Sequence, residues 1–215
     1  MAKRPRKAAP AAPPPEPRVR LIEAALKLAA LQGWPDTTMA DVAEEAGVGL
    51  AEARRLFPSK THLLAGFIEQ VDEQVLGAGV ADIEGEPVRD RLFDLLMRRF
   101  DALKPHRKGV EAIVRALSCD PLTAGCLAAG PVRRSLEWTL SAAQAQGSGP
   151  FAPLLVKGLG VVYLCGLRAF LKDESEDLSA TMAALDKALN RAGAAVRWLP
   201  MGRRRESGAA EAAEA

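Results

Sequence analysis

The chain has 215 residues, enough for one large domain or two small ones, and its 48% hydrophobic content is enough for a sizeable core and excludes wholesale disorder. Aromatic residues make up only 5%, and the dominance of alanine and leucine favours helices over sheets. Lys and Arg number 29 against 27 Asp and Glu, a net charge of +2, so any affinity for nucleic acid must come from how the charge is distributed.

Both ends of the chain have the composition of loose tails. Residues 1–17 combine lysine and arginine with a run of prolines, and we predict a disordered basic arm that either solubilises the protein or contacts phosphate. A second disordered tail is predicted at residues 200–215. The basic N-terminus is followed by proline and alanine, so we expect no signal peptide.

Between the tails, apolar residues recur at helical spacing and predict an all-α chain of about nine helices. The first four are predicted at residues 18–32, 39–46, 50–57 and 60–76. The other five are predicted at residues 88–103, at 108–117, up to about 144 with a break near 125–131, at 151–171 and at 178–198. A glycine-containing linker at 77–87 divides the chain into predicted domains at 18–77 and 87–199.

The most apolar stretch, residues 151–171, is interrupted by Lys157 and Arg168. The gap between these charges is far shorter than the roughly 20 apolar residues of a membrane span. We therefore expect no transmembrane segment and a cytoplasmic protein.

The second and third predicted helices are joined by a short turn that is typical of a helix-turn-helix. Thr38 is a strong N-cap for the second helix, and Asp41 three residues later completes a variant capping box. Gly47 allows the left-handed backbone that a tight turn requires. We expect Phe57 to anchor the third helix onto the first and fourth helices, so that the third helix faces a DNA groove.

Residues 21–67 resemble the N-terminal domain of TetR-family transcriptional regulators. The matching positions are Ala24, Ala25, Gly33, Thr38, Asp41, Val42, Ala43, Ala46, Gly47, Val48, Phe57, Ser59, Lys60, Leu63 and Leu64. The resemblance implies a TetR-like fold, with a three-helix helix-turn-helix head before a larger helical domain that binds ligand and dimerises. It also implies a one-component regulator that binds operator DNA as a dimer and is released by a small apolar effector.

The resemblance places the contacts with double-stranded DNA on and around the third helix. The expected DNA-binding residues are Thr38, Gly49, Leu50, Ala51, Glu52, Arg54, Arg55 and Lys60. Those expected to contact phosphate are Thr38, Arg54, Arg55 and Lys60. Glu52 departs from the family pattern. Phosphate would repel its carboxylate, unless the carboxylate accepts a hydrogen bond from a cytosine amino group. Residues 18–60 hold six positive and six negative side chains, so the basic arm would have to add attraction.

A second resemblance concerns the C-terminal part of the chain. Residues 161–189 are similar to the lipid-binding accessory proteins of ubiquinone biosynthesis, which share the TetR fold without acting as repressors. The matching positions are Asp173, Ser175, Asp177, Thr181, Leu185 and Asp186. The alternative function is therefore a lipid- or isoprenoid-binding accessory protein that no longer binds DNA.

Several residues of the C-terminal helices either pack in the core or line an apolar ligand pocket. The candidates are Leu96, Met97, Phe100, Trp138 and Tyr163. Gly158, Gly160 and Gly166 suit a close helix–helix interface, and we predict a homodimer that pairs the last two helices with their mates.

We expect no catalytic site, cofactor or metal. Two histidines and three cysteines show no metal-ligand spacing, and no nucleophile accompanies either histidine. The cysteines are expected to be reduced and mostly buried. The acidic run at residues 173–177 is interpreted as the start of the last helix, where the helix dipole favours negative charge.

Overall fold

The computed structural model describes residues 15–79, 85–145 and 152–197, and these residues form ten α-helices and no strand. The helices are α1 (Pro17–Gln32), α2 (Met39–Glu45), α3 (Leu50–Leu56), α4 (Lys60–Gly77), α5 (Val88–Leu103), α6 (Arg107–Ser118), α7 (Pro121–Leu127), α8 (Arg133–Ala142), α9 (Ala152–Phe170) and α10 (Ser179–Arg197). The predicted all-α class is confirmed. The arm predicted at 1–17 lies outside the described residues except for its last three, and the tail predicted at 200–215 lies outside them entirely.

The predicted helices lie within two residues of the observed ones at the ends that were specified. The difference in number comes from the helix predicted to be broken near 125–131. A π-helical segment, Ala128–Val132, joins α7 to α8 there without interrupting the helical chain. Pro131 lies inside this segment, and a proline has no N–H to donate to the carbonyl one turn earlier.

The first four helices form the head, and Phe57 lies at its centre. The side chain is 2% exposed, and the Arg18 guanidinium of α1 lies 4.8 Å from the centre of its ring. A Cβ at Gly66 of α4 would come within 2.5 Å of the same ring, so only glycine lets the two approach this closely. Phe57 therefore anchors the end of α3 onto α1 and α4, as expected.

The remaining helices pack around a second aromatic centre. The Phe100 ring on α5 is fully buried and stacks on Tyr163 at 5.7 Å and on Phe170 at 5.5 Å. Gly166 of α9 faces the same ring, so this glycine serves packing within the chain. α9 and α10 pack along each other beside this cluster.

The head also packs directly on the rest of the chain through α1 and α6. A Cβ at Gly109 of α6 would lie 2.4 Å from the Leu26 carbonyl oxygen of α1, so the two backbones touch at this point. α4 packs against both α5 and α8, with Val71 and Val75 buried. The head and the C-terminal helices thus share one continuous hydrophobic core.

The helix α9 has the length and composition of a membrane span. Its most apolar window has a mean hydropathy of 1.5, and 33% of that window is buried within the described structure. The two charges that interrupt it, Lys157 and Arg168, are exposed. Its buried positions, such as Leu159 and Val162, belong to the hydrophobic core.

The prediction that the three cysteines are mostly buried is wrong. Cys119, Cys126 and Cys165 are all exposed and free. The apolar pattern did not separate them from core positions, because each lies on the outer side of a helix or at its end.

Asp173 organises the loop between α9 and α10. It is buried, and its carboxylate accepts hydrogen bonds from the backbone and the hydroxyl of both Ser175 and Thr181. Burial alone would raise the pKa of Asp173, but these hydrogen bonds outweigh it and hold the pKa well below its usual range. The loop also holds Leu178 at φ 56° with its side chain in the core, a strained conformation that the surrounding contacts must support. Two residues of the acidic run, Asp173 and Asp177, thus accept from backbone amides at the start of the last helix.

We predict that Asp173→Asn lowers the melting temperature at neutral pH, and that the difference from the wild type shrinks as the pH falls below about 4. The carboxylate has a lower pKa in the folded state than in the unfolded state, so its contribution is complete above the unfolded value and is lost on acidification. Losing a charged acceptor of several hydrogen bonds costs about 2 kcal/mol. Thermal unfolding between pH 3 and pH 7 measures this, with exposed Glu174→Gln as control, and a gap that is the same at every pH contradicts it.

Candidate nucleic-acid interface and ligand cavity

The turn between α2 and α3 has the geometry of a helix-turn-helix. Thr38 Oγ1 accepts from the Asp41 backbone at 3.2 Å, and Asp41 accepts in return from the Thr38 backbone at 2.9 Å, which confirms the capping box. These hydrogen bonds lower the pKa of Asp41. Gly47 has φ +60°, and the next residue, Val48, is buried in the corner and donates to the Ala43 carbonyl at 2.9 Å. Because an L side chain rarely adopts this φ, glycine is required at the turn.

The helix α3 turns one face inward and the other outward. Ala53 is fully buried against the head. Leu50 is 56% exposed, and the other outward residues are Ala51, Glu52, Arg54 and Arg55. Gly49, at the N-cap of α3, is also exposed. The structure therefore brings the residues expected on the third helix onto one accessible surface, which we call the α3 surface.

Most positive side chains of the head are already held by the protein itself. The pairs are Arg18 with Glu69, Arg20 with the Ala46 carbonyl, Lys27 with Glu45, and Lys60 with the Trp34 carbonyl. Of the six positive side chains at 18–60, only Arg54 and Arg55 have no such partner among the described residues. Both are exposed, so they are the cations that the α3 surface offers to a phosphate backbone.

Lys60, one of the residues expected to contact phosphate, is held by other parts of the head. Its ammonium donates to the Trp34 carbonyl and lies 4.5 Å from the centre of the indole ring. Burial lowers its pKa, with Asp36 acting in the opposite direction. Lys60 thus joins the start of α4 to the turn after α1. Exposed Thr38 differs, since its hydroxyl accepts one hydrogen bond and keeps a proton to donate.

A cavity of about 1100 Å³ lies between α4, α5, α6, α7, α8 and α9. Its apolar walls include Phe67, Val71, Leu103, Val110, Ile113, Val114, Leu127, Leu136, Leu140 and Val156. Exposed residues also line it, where the cavity meets solvent, among them Ser118, Ala128, Ala129, Arg133, Lys157 and Leu164. The volume and the apolar walls are those of a site for a small organic molecule.

Only one of the five residues expected to line a pocket lies in this wall. Tyr163 lines the cavity, whereas Leu96 and Phe100 are fully buried and Met97 packs against the core. Trp138 is 56% exposed and does not line it. On α5 the cavity is lined instead by residues 99 and 103, one helical row away from 96 and 100.

Two polar residues of the buried wall, Arg99 and Tyr163, belong to a cluster that extends behind the wall. The Arg99 guanidinium pairs with Asp72 of α4, and Ser135 of α8 donates to the same carboxylate oxygen at 2.8 Å. The guanidinium carbon of Arg99 lies 5.8 Å from the centre of the Tyr163 ring. Sequence patterning did not reveal this cluster, because its members lie on four separate helices. Within the described residues, no group of three or more side chains is placed to hold a metal ion.

Comparison with known proteins bears on both the head and the whole chain. Residues 21–66 match the family model described as bacterial regulatory proteins, tetR family. No curated protein sequence matches the chain. The similarity of the C-terminal segment to ubiquinone-biosynthesis accessory proteins is not shown by these comparisons.

Solved structures similar to the whole chain are described as TetR regulators. A TetR transcriptional regulator from Nitrosomonas europaea is 26% identical with a TM-score of 0.67, over 85% of this chain and 98% of that one. A second, from Rhodococcus sp. RHA1, is 23% identical with a TM-score of 0.60, over 82% and 94%. Thermus thermophilus FadR, a TetR family repressor solved with lauroyl-CoA, is 19% identical with a TM-score of 0.51, over 81% and 92%. The chain therefore combines a TetR-like all-α fold with a helix-turn-helix domain that matches the tetR family of bacterial regulatory proteins.

Proposed function

We propose that the chain is a TetR-type one-component transcriptional regulator that acts in the cytoplasm without enzymatic activity. It binds operator DNA as a dimer and is released by a small apolar effector. The observation that carries the proposal is the exposed α3 surface, held beyond the Gly47 turn in a head that matches the tetR family. In a helix-turn-helix, the second helix of the motif, which is α3 here, enters the major groove.

The proposed DNA contacts follow from exposure and charge. Arg54 and Arg55 contact phosphates, together with the Thr38 hydroxyl. Leu50 and Ala51 face base edges, where an apolar side chain contacts a thymine methyl, and Glu52 accepts from a cytosine amino group. The basic arm at residues 1–17 adds attraction to the phosphate backbone.

Helix α4 connects the effector cavity to the head. This helix begins at the Ser59 cap beside α3, and further along it lines the cavity with Leu64, Phe67 and Val71. A ligand that fills the cavity contacts α4 directly. A ligand that binds better when α4 is in one of two positions increases the population of that conformation. In a dimer, this movement of α4 changes the spacing of the two heads.

The dimer is proposed to form through α9 and α10. The outward stripe of α9 contains Leu154, Gly158, Val161 and Cys165, all at helical spacing, and Val161 is 63% exposed. A second copy is the natural occupant of this stripe, because an isologous interface pairs one patch with itself and presents two heads to a palindromic operator.

We predict that Arg54→Ala/Arg55→Ala weakens DNA binding by at least about tenfold at physiological salt and reduces the salt slope by about 3–4 per dimer, since four phosphate contacts are removed. Fluorescence anisotropy with a duplex selected from a random pool, titrated at several salt concentrations, measures both quantities. Arg134→Ala/Lys172→Ala removes the same charge from exposed positions outside the head and serves as the control. Equal losses in the two double variants refute the assignment.

We also predict that Val161→Glu converts a wild-type dimer into a monomer, because a symmetric interface would bury the new charge twice. Sedimentation velocity at micromolar concentration gives the oligomeric state directly. Leu122→Glu places the same charge at an exposed leucine of α7, outside the proposed interface, and should leave the dimer intact. A monomeric wild type, or a dimeric Val161→Glu variant, contradicts the proposed interface.

A second candidate function is a lipid- or isoprenoid-binding accessory protein without operator binding. Two observations favour it: the outward face of α3 offers leucine, alanine and glutamate, and the cavity is large and apolar. Native mass spectrometry of the purified chain and selection from a random DNA pool separate the two functions. The regulator yields an enriched DNA sequence at physiological salt, whereas the accessory protein retains lipid and enriches none.

A further inference from the structure

We infer that the cavity takes an elongated apolar molecule with one uncharged oxygen acceptor, such as an ester, ketone or ether, that accepts a hydrogen bond from the Tyr163 hydroxyl. The inference deepens the proposed function, because it names the class of effector that the cavity would hold. It rests on three features of the buried wall: most of it is apolar, the Tyr163 hydroxyl has no hydrogen-bond partner among the described residues, and the charge of Arg99 is neutralised by Asp72.

The wall is apolar over most of its extent, and α4, α6, α8 and α9 each contribute aliphatic side chains to it. A ligand gains free energy here mainly by burying hydrocarbon, at roughly 25 cal/mol per Å². A cavity of about 1100 Å³ has room for a long or bulky apolar group.

The buried wall keeps hydrogen-bonding capacity that the protein does not use. The Tyr163 side chain lines the cavity, and no hydrogen bond of its hydroxyl to another described residue is present. Burial raises the pKa of Tyr163, so the hydroxyl keeps its proton at neutral pH and can donate it. The Tyr163 hydroxyl therefore favours an acceptor oxygen on the ligand.

The charge of the cluster excludes an anionic group at this position. The Arg99 guanidinium is already neutralised by Asp72, whose carboxylate does not line the cavity. A ligand carboxylate beside Tyr163 would place two negative charges around one guanidinium in a buried site, and a buried charge without its own counter-charge is costly. A cationic group would meet the guanidinium itself. An uncharged acceptor avoids both costs.

Three ligands that share a nine-carbon apolar tail test this inference: methyl decanoate, decanoate and nonylammonium. Titration of the full chain without DNA, by displacement of a fluorescent apolar dye, is expected to give the ester an affinity at least about tenfold above the two ions. Tyr163→Phe removes only the hydroxyl and should weaken the ester about five- to tenfold while leaving decanoate unchanged. Ser118→Ala removes a hydroxyl from the exposed side of the same cavity and should leave all three affinities unchanged.

Decanoate binding as tightly as the ester would overturn the inference, because the carboxylate would then be accommodated beside Tyr163 or held by Arg133 or Lys157 at the open side. An ester affinity that is unchanged in Tyr163→Phe, or no binding of any of the three, would overturn it as well. The proposed function fails separately: if the ester binds as stated but does not release selected operator DNA, the cavity assignment stands and the effector role is refuted.

Discussion

The outward position of α3 depends on the contact between the Phe57 ring and the backbone of α4 at Gly66. Burying a phenylalanine contributes about 1.5–3 kcal/mol, and here the same side chain also fixes where the last turn of α3 ends. The Arg18 guanidinium lies over the same ring, beside Gly66, and is itself held by Glu69. The helices α1, α3 and α4 thus meet at Phe57. Together with the Gly47 turn, this contact fixes both ends of α3 relative to the head.

α4 connects this contact to the rest of the molecule. Its first turn is capped by Ser59 and tied to Trp34 through Lys60, while its middle turns line the cavity and carry Asp72 of the buried polar cluster. A ligand beside Tyr163 and Arg99 would therefore act on the helix that supports α3. The close contact between α1 and α6 at Gly109 attaches the head to the C-terminal helices at a second point. Because α1 is held there, a movement of α4 would change the position of α4 relative to α1 within the head.

Local sequence signals were enough to predict the helices and the helix-turn-helix. Apolar spacing, the Thr38 and Ser59 caps and Gly47 act within a few residues, so the pattern that specifies them is visible along the chain. The outward residues of α3 were instead expected from the resemblance to TetR-family heads, and the structure exposes them around buried Ala53.

The cavity and the pairing of charges could not be predicted in this way. Whether residue 96 or residue 99 of α5 lines a pocket depends on which neighbouring helices leave space, and that depends on packing between segments far apart in the chain. The link from Lys60 to Trp34 spans 26 residues, and nothing in the spacing of either indicates it. The burial of the cysteines was predicted wrongly for a similar reason, because a small apolar residue fits either face of a helix.

Amide hydrogen exchange of the full chain, with and without a duplex selected from a random pool, tests the central claim most directly. If α3 is the surface that reads DNA, added duplex protects residues 38–60 and leaves the exposed ends of α7 and α10 unchanged. Protection that is absent from residues 38–60, or confined to the C-terminal helices, would contradict the assignment of the helix-turn-helix as a DNA-binding surface.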